Sequence, residues 1–231
     1  MDREQLIKYC KVIEQSYTTI VSDILDEMGF REQVMTKWFH QVSLKDKIAG
    51  PAYTLEFKQD NECYNLNKQE LSIEEIIRRI KEIFEPMEKG DIIVGTTNGS
   101  FAAGVWGEIM STIAKYHYNA RGAILDGAIR DVQRIEKVDF PVWFITTIPT
   151  ESVGRIEYLG VKKKIWCGGR LVKRSDIVFA DRDGVIIIPK EIDIKALAKK
   201  VKTITELEEK TKKEIQQGSS PFEVYRKYQV I

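Results

Sequence analysis

Two aspartates and an arginine stand close together in GAILDGAIRD, residues 122–131. The apolar run before them predicts a buried strand over 122–125, so that Asp126 falls at its carboxyl end, where α/β sheets bind ligands. Arg130 is adjacent to Asp131, and we therefore expect this carboxylate to be ionised. An ionised carboxylate suits Mg²⁺, which keeps most of its waters and needs few protein ligands. The stretch predicts an anion neutralised by Arg130 beside a hydrated cation bound by Asp131.

The same residues also have a structural interpretation, which this stretch alone leaves open. Asp126-Gly127 is a common turn pair, and Asp131 would serve as the N-cap of a helix that begins at Val132. A second stretch, VWGEIM, favours the functional interpretation. It opens a helix directly after a glycine-rich loop, and Glu108 stands in the first turn, where backbone amides attract carboxylates. A helix start for a substrate carboxylate, an arginine and a bound cation together make a coherent site for an enolate.

Other catalytic signatures are missing from the sequence. Val105 follows the glycine-rich loop where a phosphate-binding loop has its lysine, and no GxSxG nucleophile motif occurs. The histidines, His40 and His117, are far apart, which disfavours a catalytic triad or a histidine-rich metal site and indicates structural or surface roles. No lysine stands in a recognisable buried position, which disfavours a Schiff base.

Composition excludes several classes of protein. The 36 basic residues nearly balance the 35 acidic ones, so the chain lacks the positive field that attracts nucleic acid or anionic membranes. No apolar run approaches a membrane span, and the charged N-terminus lacks the apolar core of a signal peptide, which predicts a cytoplasmic protein. Cys10, Cys63 and Cys167 form no CxxC pair, so we expect small core or surface residues instead of disulfides or a zinc site.

Hydrophobic periodicity predicts strands that alternate with helices in the middle of the chain. The long helix after Pro189 carries an apolar stripe that would pack either on its own domain or on a neighbouring subunit. In chain order, we predict helices near 2–15 and 18–28, a strand over 48–57, a helix from Ser72 to Pro86, a strand over 91–97, a helix over 106–118, a strand over 122–125, a short helix near 131–137, a strand over 141–147, a hairpin around Asp183-Gly184 and the long helix.

Several segments in the same order resemble the RraA-like family. The longest is GEIMSTIAKYHYNARGAILDGAIRD, which matches a family pattern of Gly-Asp/Glu at a helix start followed, about twenty residues later, by Arg-Asp. The others are TTIVSDILDEMG, IAGPAYTL, KGDIIVG, FPVWFITTIP and GGRLVKRSDIVFADRDGVIIIP. The resemblance covers most of the chain and implies an α/β fold, a compact αββα-type sandwich with mixed sheets of the swivelling β/β/α type.

The resemblance also implies one domain over 1–231, with N-terminal helices in about 1–30 and a C-terminal helical extension in about 191–231. Family members assemble into homotrimers or hexamers with active sites between subunits, so we expect a homo-oligomer here. The expected partners are a small 2-oxo acid and further copies of the chain, with neither nucleic acid nor a membrane.

Carried over by position, the resemblance assigns six residues to the site. Arg130 would contact the substrate, and Asp131 would bind the divalent metal, expected to be Mg²⁺, with Mn²⁺ as the other candidate. Glu108 would also act on metal-bound water. The substrate carboxylate would be held largely by backbone amides at the helix start, from Gly107, Glu108, Ile109 and Met110.

Two departures from the family pattern stand out. Twenty-one residues, 109–129, separate Glu108 from Arg130 where the aldolases have twenty. We expect the extra residue of KYHYNARG to fall in the helix-to-strand loop and to leave both ends in place. The aldolases also use an acidic residue from a neighbouring subunit near the C-terminus, and this sequence has no identifiable match to it.

The family includes 4-hydroxy-4-methyl-2-oxoglutarate aldolases, which also decarboxylate oxaloacetate, and the regulator of ribonuclease E activity A, a protein-binding inhibitor. The resemblance therefore implies a metal-dependent carbon–carbon lyase that forms pyruvate enolate from a 2-oxo acid. A non-catalytic regulator that binds a protein partner is the alternative, because both groups share the Arg-Asp motif. Lyase chemistry on an unrelated oxo acid is a third interpretation, if the charged segment 59–85 reshapes the pocket.

Overall fold

The structure, a computed structural model, describes residues 1–43, 47–60 and 72–229. Cys63 and the middle of the charged segment 59–85 lie outside these residues. The helices are α1 (Arg3–Glu14), α2 (Thr18–Glu27), α3 (Ile73–Phe84), α4 (Glu108–Thr112, continued by a π-helix over Ile113–His117), α5 (Val132–Val138), α6 (Ile194–Gln216) and α7 (Pro221–Tyr228). The strands are β1 (His40–Gln41), β2 (Ile48–Gln59), β3 (Ile92–Thr96), β4 (Gly122–Ile129), β5 (Val142–Thr147), β6 (Ile156–Val161), β7 (Lys164–Cys167), β8 (Arg170–Lys173), β9 (Ile177–Ala180) and β10 (Val185–Ile188).

Strand β2 is the pivot of an eight-stranded mixed sheet with the order β1-β5-β4-β3-β2-β9-β10, in which β6 also pairs with β2. Strands β2 to β5 run parallel, whereas the pairs made by β1, β6, β9 and β10 are antiparallel. The first residues of β2, 48–51, pair with β9, and its later residues pair with β3 and β6. One strand thus belongs to two halves of a curled sheet, and the predicted mixed sheet is confirmed.

The central strands are buried on both faces because alternate side chains enter different apolar clusters. In β3, Ile93 packs in the cluster beneath α3, α4 and α5, whereas Ile92 and Val94 pack in a cluster beneath β7 and β8. A third cluster joins β9 and β10 to α1, α2 and α6. Helices therefore cover the outer faces of two packed sheet halves, as the predicted αββα sandwich requires.

Helix α6 uses the first part of its apolar stripe within the chain. Leu197 and Val201 are buried against α1 and α2, and the Thr205 Oγ1 atom lies 2.7 Å from the Ser16 Oγ atom. Of the two alternatives predicted for this helix, its own domain and a neighbouring subunit, the first part of α6 packs on its own domain. Helix α7 lies within the predicted C-terminal helical extension, although it was not predicted as a separate helix; Pro221 is its first residue, a position that needs no backbone N–H.

Strand β4 is longer than predicted, and this moves Asp126 from the end of a strand into its interior. The strand runs from Gly122 to Ile129, and its register with β5 shifts between Leu125 and Ala128, as in a β-bulge. An Asp-Gly pair is typical of a turn, which is why the pattern predicted that the strand ends at Leu125. The bulge instead lets pairing resume, so the prediction that Asp126 marks the ligand-binding end of the strand was wrong.

The helix that begins with α4 ends in a π-helix, in which the Tyr118 N–H donates to the Ile113 carbonyl at 3.3 Å. A π-helical turn spans one more residue than an α-helical turn. The first residues of KYHYNARG lie in this π-helix, which gives the helix end room for one extra residue; its expected position in the loop that follows stays a prediction.

Two cysteines lie in the core. Cys10 and Cys167 are buried free thiols, and burial raises the pKa of Cys10 to about 12. Both fit the expectation of small core residues. In the described part of the chain, no helix combines the length and the apolar character that crossing a membrane requires.

Candidate functional site

The two predicted stretches, VWGEIM and GAILDGAIRD, contact each other at the end of β4. The segment before α4 runs alongside this strand: the Val105 N–H donates to the Ala128 carbonyl, and the Arg130 N–H donates to the Trp106 carbonyl, each at 2.9 Å. These two bonds bracket the last residues of β4. As a result, Gly107 at the start of α4 lies directly beside the Arg-Asp pair.

The start of α4 is held in place from inside the core. The Trp106 indole N–H donates to the Ser111 hydroxyl at 2.9 Å, and that hydroxyl donates to the Gly107 carbonyl at 3.0 Å. Trp106 is 1% exposed, and its ring centroid lies 6.1 Å from that of Phe84 in α3. The first turn of α4, whose amides have no acceptor within the helix, is therefore fixed relative to Arg130.

Asp131 approaches Gly107 closely. A Cβ atom at position 107 would lie 2.8 Å from Asp131 Oδ2 and 3.4 Å from Arg130 Cγ. The first distance is shorter than real Cβ contacts show, so a side chain at position 107 would displace the carboxylate from its observed position. The glycine of the Gly-Glu pair therefore allows the Asp131 carboxylate to approach, which the sequence spacing did not reveal.

Asp131 occupies the N-cap position of α5 without using its side chain as a cap. Its backbone is left-handed, with φ 60° and ψ 31°, whereas N-cap residues have extended backbones, and its carboxylate makes no capping hydrogen bond. Asp131 Oδ2 lies 3.7 Å from Arg130 Nε, and each of these side chains is about one-third exposed. The carboxylate is therefore directed to the cavity and not to the helix amides, which disfavours the structural interpretation of this residue.

Asp126 has a structural role. Its carboxylate oxygens lie 2.7 and 2.9 Å from Lys37 Nζ, and one of them accepts the Gly168 N–H at 2.8 Å. The residue is 3% exposed. Its neighbour Gly127 is equally constrained, because a Cβ there would lie 2.4 Å from Thr97 Cγ2. The charged stretch thus divides into a buried ion pair at Asp126 and a cavity pair at residues 130–131.

A cavity of about 300 Å³ opens at the Arg-Asp pair. Five of the six predicted site residues line it: Gly107, Ile109, Met110, Arg130 and Asp131. Glu108 is not part of this lining, since its Oε2 atom lies 3.5 Å from Arg134 Nη1 on α5. Neither histidine and no lysine belongs to the described lining.

Helix α3, in the charged segment 59–85 that the sequence suggested could reshape the pocket, supplies a wall of the cavity whose residues were not predicted individually. Ile76, Arg79, Ile80 and Ile83 line it, together with Tyr158 of β6. The three isoleucines are visible in the sequence as the stripe of an amphipathic helix. A stripe does not reveal whether it faces a packed core or a cavity, so this signal alone is insufficient.

Charges in the lining are few. Arg79 and Arg130 are its cations and Asp131 is its acid among the described residues. The Tyr158 hydroxyl donates to the Glu82 carbonyl at 3.2 Å, and burial raises the pKa of Tyr158 to about 12, so this hydroxyl remains protonated at neutral pH. Arg130 is therefore the cation of the described lining that suits an anionic ligand, because Arg79 is also within 3.5 Å of Glu75 on α3.

The donors available to a metal ion are also few. Within the described ranges, no three His, Cys, Asp or Glu side chains come together. Of the described side chains, that of Asp131 is the one carboxylate that faces the cavity. This donor set does not resemble a zinc or calcium cage, but it fits Mg²⁺ or a similar ion that keeps several of its waters.

A family model described as RraA-like (Aldolase/RraA) matches residues 18–187, which contain every lining residue named above. The chain belongs to the RraA-like family. This RraA-like chain is 26% identical over 204 residues to protein DlpA of Legionella pneumophila, and the match covers 87% of the chain and 30% of DlpA. The chain thus spans less than a third of the length of that relative.

Two further proteins match the RraA-like chain over most of their own length. It is 28% identical over 174 residues to a protein of Halalkalibacterium halodurans named "Putative 4-hydroxy-4-methyl-2-oxoglutarate aldolase", with 75% of the chain and 72% of that relative covered. The crystal structure of RraAS2 of Streptomyces coelicolor, described as an unusual member of the RNase ES inhibitor RraA protein family, matches with a TM-score of 0.73 at 22% identity over 89% of the chain and 96% of RraAS2. The second similarity concerns the fold, which agrees with the predicted RraA-like sandwich.

Proposed function

We propose that this chain is a carbon–carbon lyase that cleaves a 2-oxo acid to pyruvate enolate with the help of a divalent cation, Mg²⁺ or Mn²⁺. The observation that carries the proposal is the Arg130-Asp131 pair at the cavity, with a left-handed Asp131 whose carboxylate is not used as a helix cap. Relatives named for 4-hydroxy-4-methyl-2-oxoglutarate aldolase support the same class of reaction.

Each element of the site has a distinct task in this proposal. Backbone amides at the start of α4, from residues 107–110, bind the substrate carboxylate, because these N–H groups have no acceptor in the helix. The Arg130 guanidinium binds the keto oxygen and stabilises the negative charge that develops there. Asp131 holds the cation, which supplies further positive charge to the same oxygen when bound.

Two reactions lead to the same enolate. In oxaloacetate, the bond between carbon 3 and the distal carboxylate breaks, its electron pair forms the enolate, and carbon dioxide leaves. In a 4-hydroxy-2-oxo acid, the bond between carbons 3 and 4 breaks in the same sense, carbon 4 becomes a carbonyl carbon, and its hydroxyl proton passes to a base. Protonation of carbon 3 then yields pyruvate. The aldol route alone needs a base for the hydroxyl; the family resemblance places it on a neighbouring subunit, and no residue of this sequence is assigned to it.

A homo-oligomer, a trimer or hexamer, is therefore part of the proposal. Two exposed tryptophans support it: Trp38 is 92% and Trp166 is 66% exposed. They stand on segments that are hydrogen-bonded to each other, because the Thr36 and Lys37 N–H groups both donate to the Gly168 carbonyl. Tryptophan is enriched in protein–protein contacts.

The proposal is tested by measuring pyruvate release from oxaloacetate and from 4-hydroxy-4-methyl-2-oxoglutarate, with Mg²⁺ and with a chelator. Asp131→Asn is the informative variant, because asparagine tolerates the left-handed backbone while it removes the charge. Asp139→Asn is the matched control, since Asp139 has φ 54° at the other end of α5 and its side chain is 91% exposed.

We expect metal-dependent turnover in the wild type and in Asp139→Asn, and a loss of at least about 100-fold in Asp131→Asn. Turnover that survives the chelator, or that survives in Asp131→Asn, would contradict the assigned cation site. If neither substrate is turned over, either a different 2-oxo acid is the substrate or the regulatory interpretation is the better one, and capture of protein partners is the next measurement.

A further inference from the structure

Most of the cavity wall away from the Arg-Asp pair is apolar. Ile76, Ile80 and Ile83 stand at i, i+4 and i+7 on one face of α3, and Phe57 of β2 and Ile156 of β6 join them in the lining. Pyruvate alone would leave much of this surface without a partner. A substrate that reaches the wall would gain from burying apolar atoms against it.

The wall is held rigidly by the last turn of α3. The Tyr53 hydroxyl donates to the Ile83 carbonyl at 2.6 Å, and the Tyr158 hydroxyl donates to the Glu82 carbonyl at 3.2 Å. The rings of Tyr158 and Phe57 also pack together, with centroids 5.5 Å apart. A preformed apolar wall binds a ligand with little cost in ordering side chains.

Charge on this wall is limited to Arg79, and its guanidinium is already paired. Arg79 Nη2 lies 3.5 Å from the Glu75 Oε1 atom one turn earlier in α3. Two other charged residues of α3, Arg78 and Glu82, pair with each other at 2.6 Å, and neither lines the cavity. A second substrate carboxylate would thus meet a set of isoleucines and one arginine that already has a carboxylate partner.

We propose that the substrate is a 4-hydroxy-2-oxo acid whose carbon 4 carries an apolar substituent, which packs against Ile76, Ile80 and Ile83 of α3. This inference rests on the proposed function and defines its substrate class. Cleavage breaks the bond between carbons 3 and 4, whose electron pair stays on carbon 3 as the enolate. The hydroxyl proton passes to the base, so the second product is an apolar aldehyde or ketone. The reaction is balanced without an oxidant or reductant.

Binding of 2-oxo acids that lack the hydroxyl tests the substrate class separately from catalysis. The probes are pyruvate, 2-oxopentanoate and 2-oxoglutarate, titrated by calorimetry into the full chain with Mg²⁺. The second probe extends pyruvate by two methylenes, and the third replaces the terminal methyl of the second by a carboxylate. At about fourfold per buried methylene, 2-oxopentanoate should bind about 15-fold more tightly than pyruvate, and 2-oxoglutarate no more tightly than pyruvate.

Variants of α3 separate the apolar wall from the rest of the helix. Ile80→Ser should reduce the 15-fold gain of 2-oxopentanoate over pyruvate to about fourfold or less. Ile77→Ser is the control, because Ile77 is on the same helix but outside the cavity lining, and it should keep the full gain. Arg79→Gln should leave the affinity for 2-oxoglutarate unchanged.

Each outcome of these titrations supports or overturns the apolar substrate class. Equal affinities for pyruvate and 2-oxopentanoate, or tighter binding of 2-oxoglutarate that Arg79→Gln abolishes, would overturn the apolar substrate class and leave the proposed lyase intact. A gain that persists in Ile80→Ser would also overturn it. Absence of pyruvate binding to the wild-type chain would overturn the proposed function itself and this inference with it.

Discussion

Replacing Gly107 by alanine probes the contact on which the proposed cation site depends. The backbone of Gly107 is extended, with φ −159° and ψ −168°, so alanine fits its conformation without strain. The new methyl group would lie 2.8 Å from Asp131 Oδ2, whereas ordinary contacts begin near 3.4 Å, so the carboxylate must move by at least 0.6 Å. The substitution therefore displaces one functional group and little else.

The expected effect falls on turnover. A misplacement of 1 Å in a catalytic group costs about 100-fold in rate, so a shift of 0.6 Å should lower kcat by about tenfold or more. The KM should change little, because the amides of α4 stay in place. Stability should fall by less than about 1 kcal/mol, since the carboxylate end is about one-third exposed and able to rotate.

The assay is pyruvate release from oxaloacetate over a range of Mg²⁺ concentrations, with urea denaturation as the measure of folding. Thr112→Ala, on the same helix but outside the lining, is the control and should keep wild-type turnover. A Gly107→Ala variant with unchanged kcat and unchanged Mg²⁺ dependence would refute the placement of the cation at Asp131. A variant that unfolds in low urea would refute the claim that the contact serves the site and not the fold.

Two further predictions concern the fold and the assembly. Lys37→Met leaves the buried Asp126 carboxylate without its cation. Because Lys37 is 41% exposed, we expect the free energy of unfolding in urea to fall by about 2 kcal/mol, less than for a fully buried pair. Asp126→Asn in that background should recover part of the loss, and an unchanged urea midpoint in Lys37→Met would contradict the structural role of the pair. Trp38→Glu places a charge on the surface that carries the exposed Trp38 side chain, so the sedimenting species should change from a trimer or hexamer to smaller ones. A wild-type chain that sediments as a monomer would contradict the proposed oligomer.

The parts of the fold that follow from local pattern were predictable. Ser72 begins α3 by accepting the Glu75 N–H at 3.2 Å, and Asp183-Gly184 joins the β9–β10 hairpin. The course of β4 was not predictable, because the choice between a turn and a bulge at Asp126-Gly127 depends on the pairing partner across the sheet. Tertiary contacts, which a local pattern does not contain, decide such positions.

The site was predictable in part for the same reason. Residue types and spacing brought Arg130, Asp131 and the start of α4 together, and these residues do line one cavity. The wall formed by α3 comes from a helix that is more than 45 residues earlier in the chain, as the positions of Ile83 and Arg130 show. Its spacing indicates an apolar face, but only the packing of β2, β6 and α3 turns part of that face into a binding surface.

The backbone of Asp131 decides between two uses of the same side chain. In an extended N-cap, the carboxylate would bind the first amides of α5 and would be unavailable to a ligand. In the left-handed conformation observed, the Asp131 carbonyl still accepts the Arg134 and Ile135 N–H groups at 2.8 and 2.9 Å, so α5 begins at the same residue. The side chain is instead directed to Gly107, at a cost of about 1 kcal/mol in backbone conformation. The hydrogen bond from the Arg130 N–H to the Trp106 carbonyl stabilises this arrangement, and the helix start and the carboxylate therefore depend on each other.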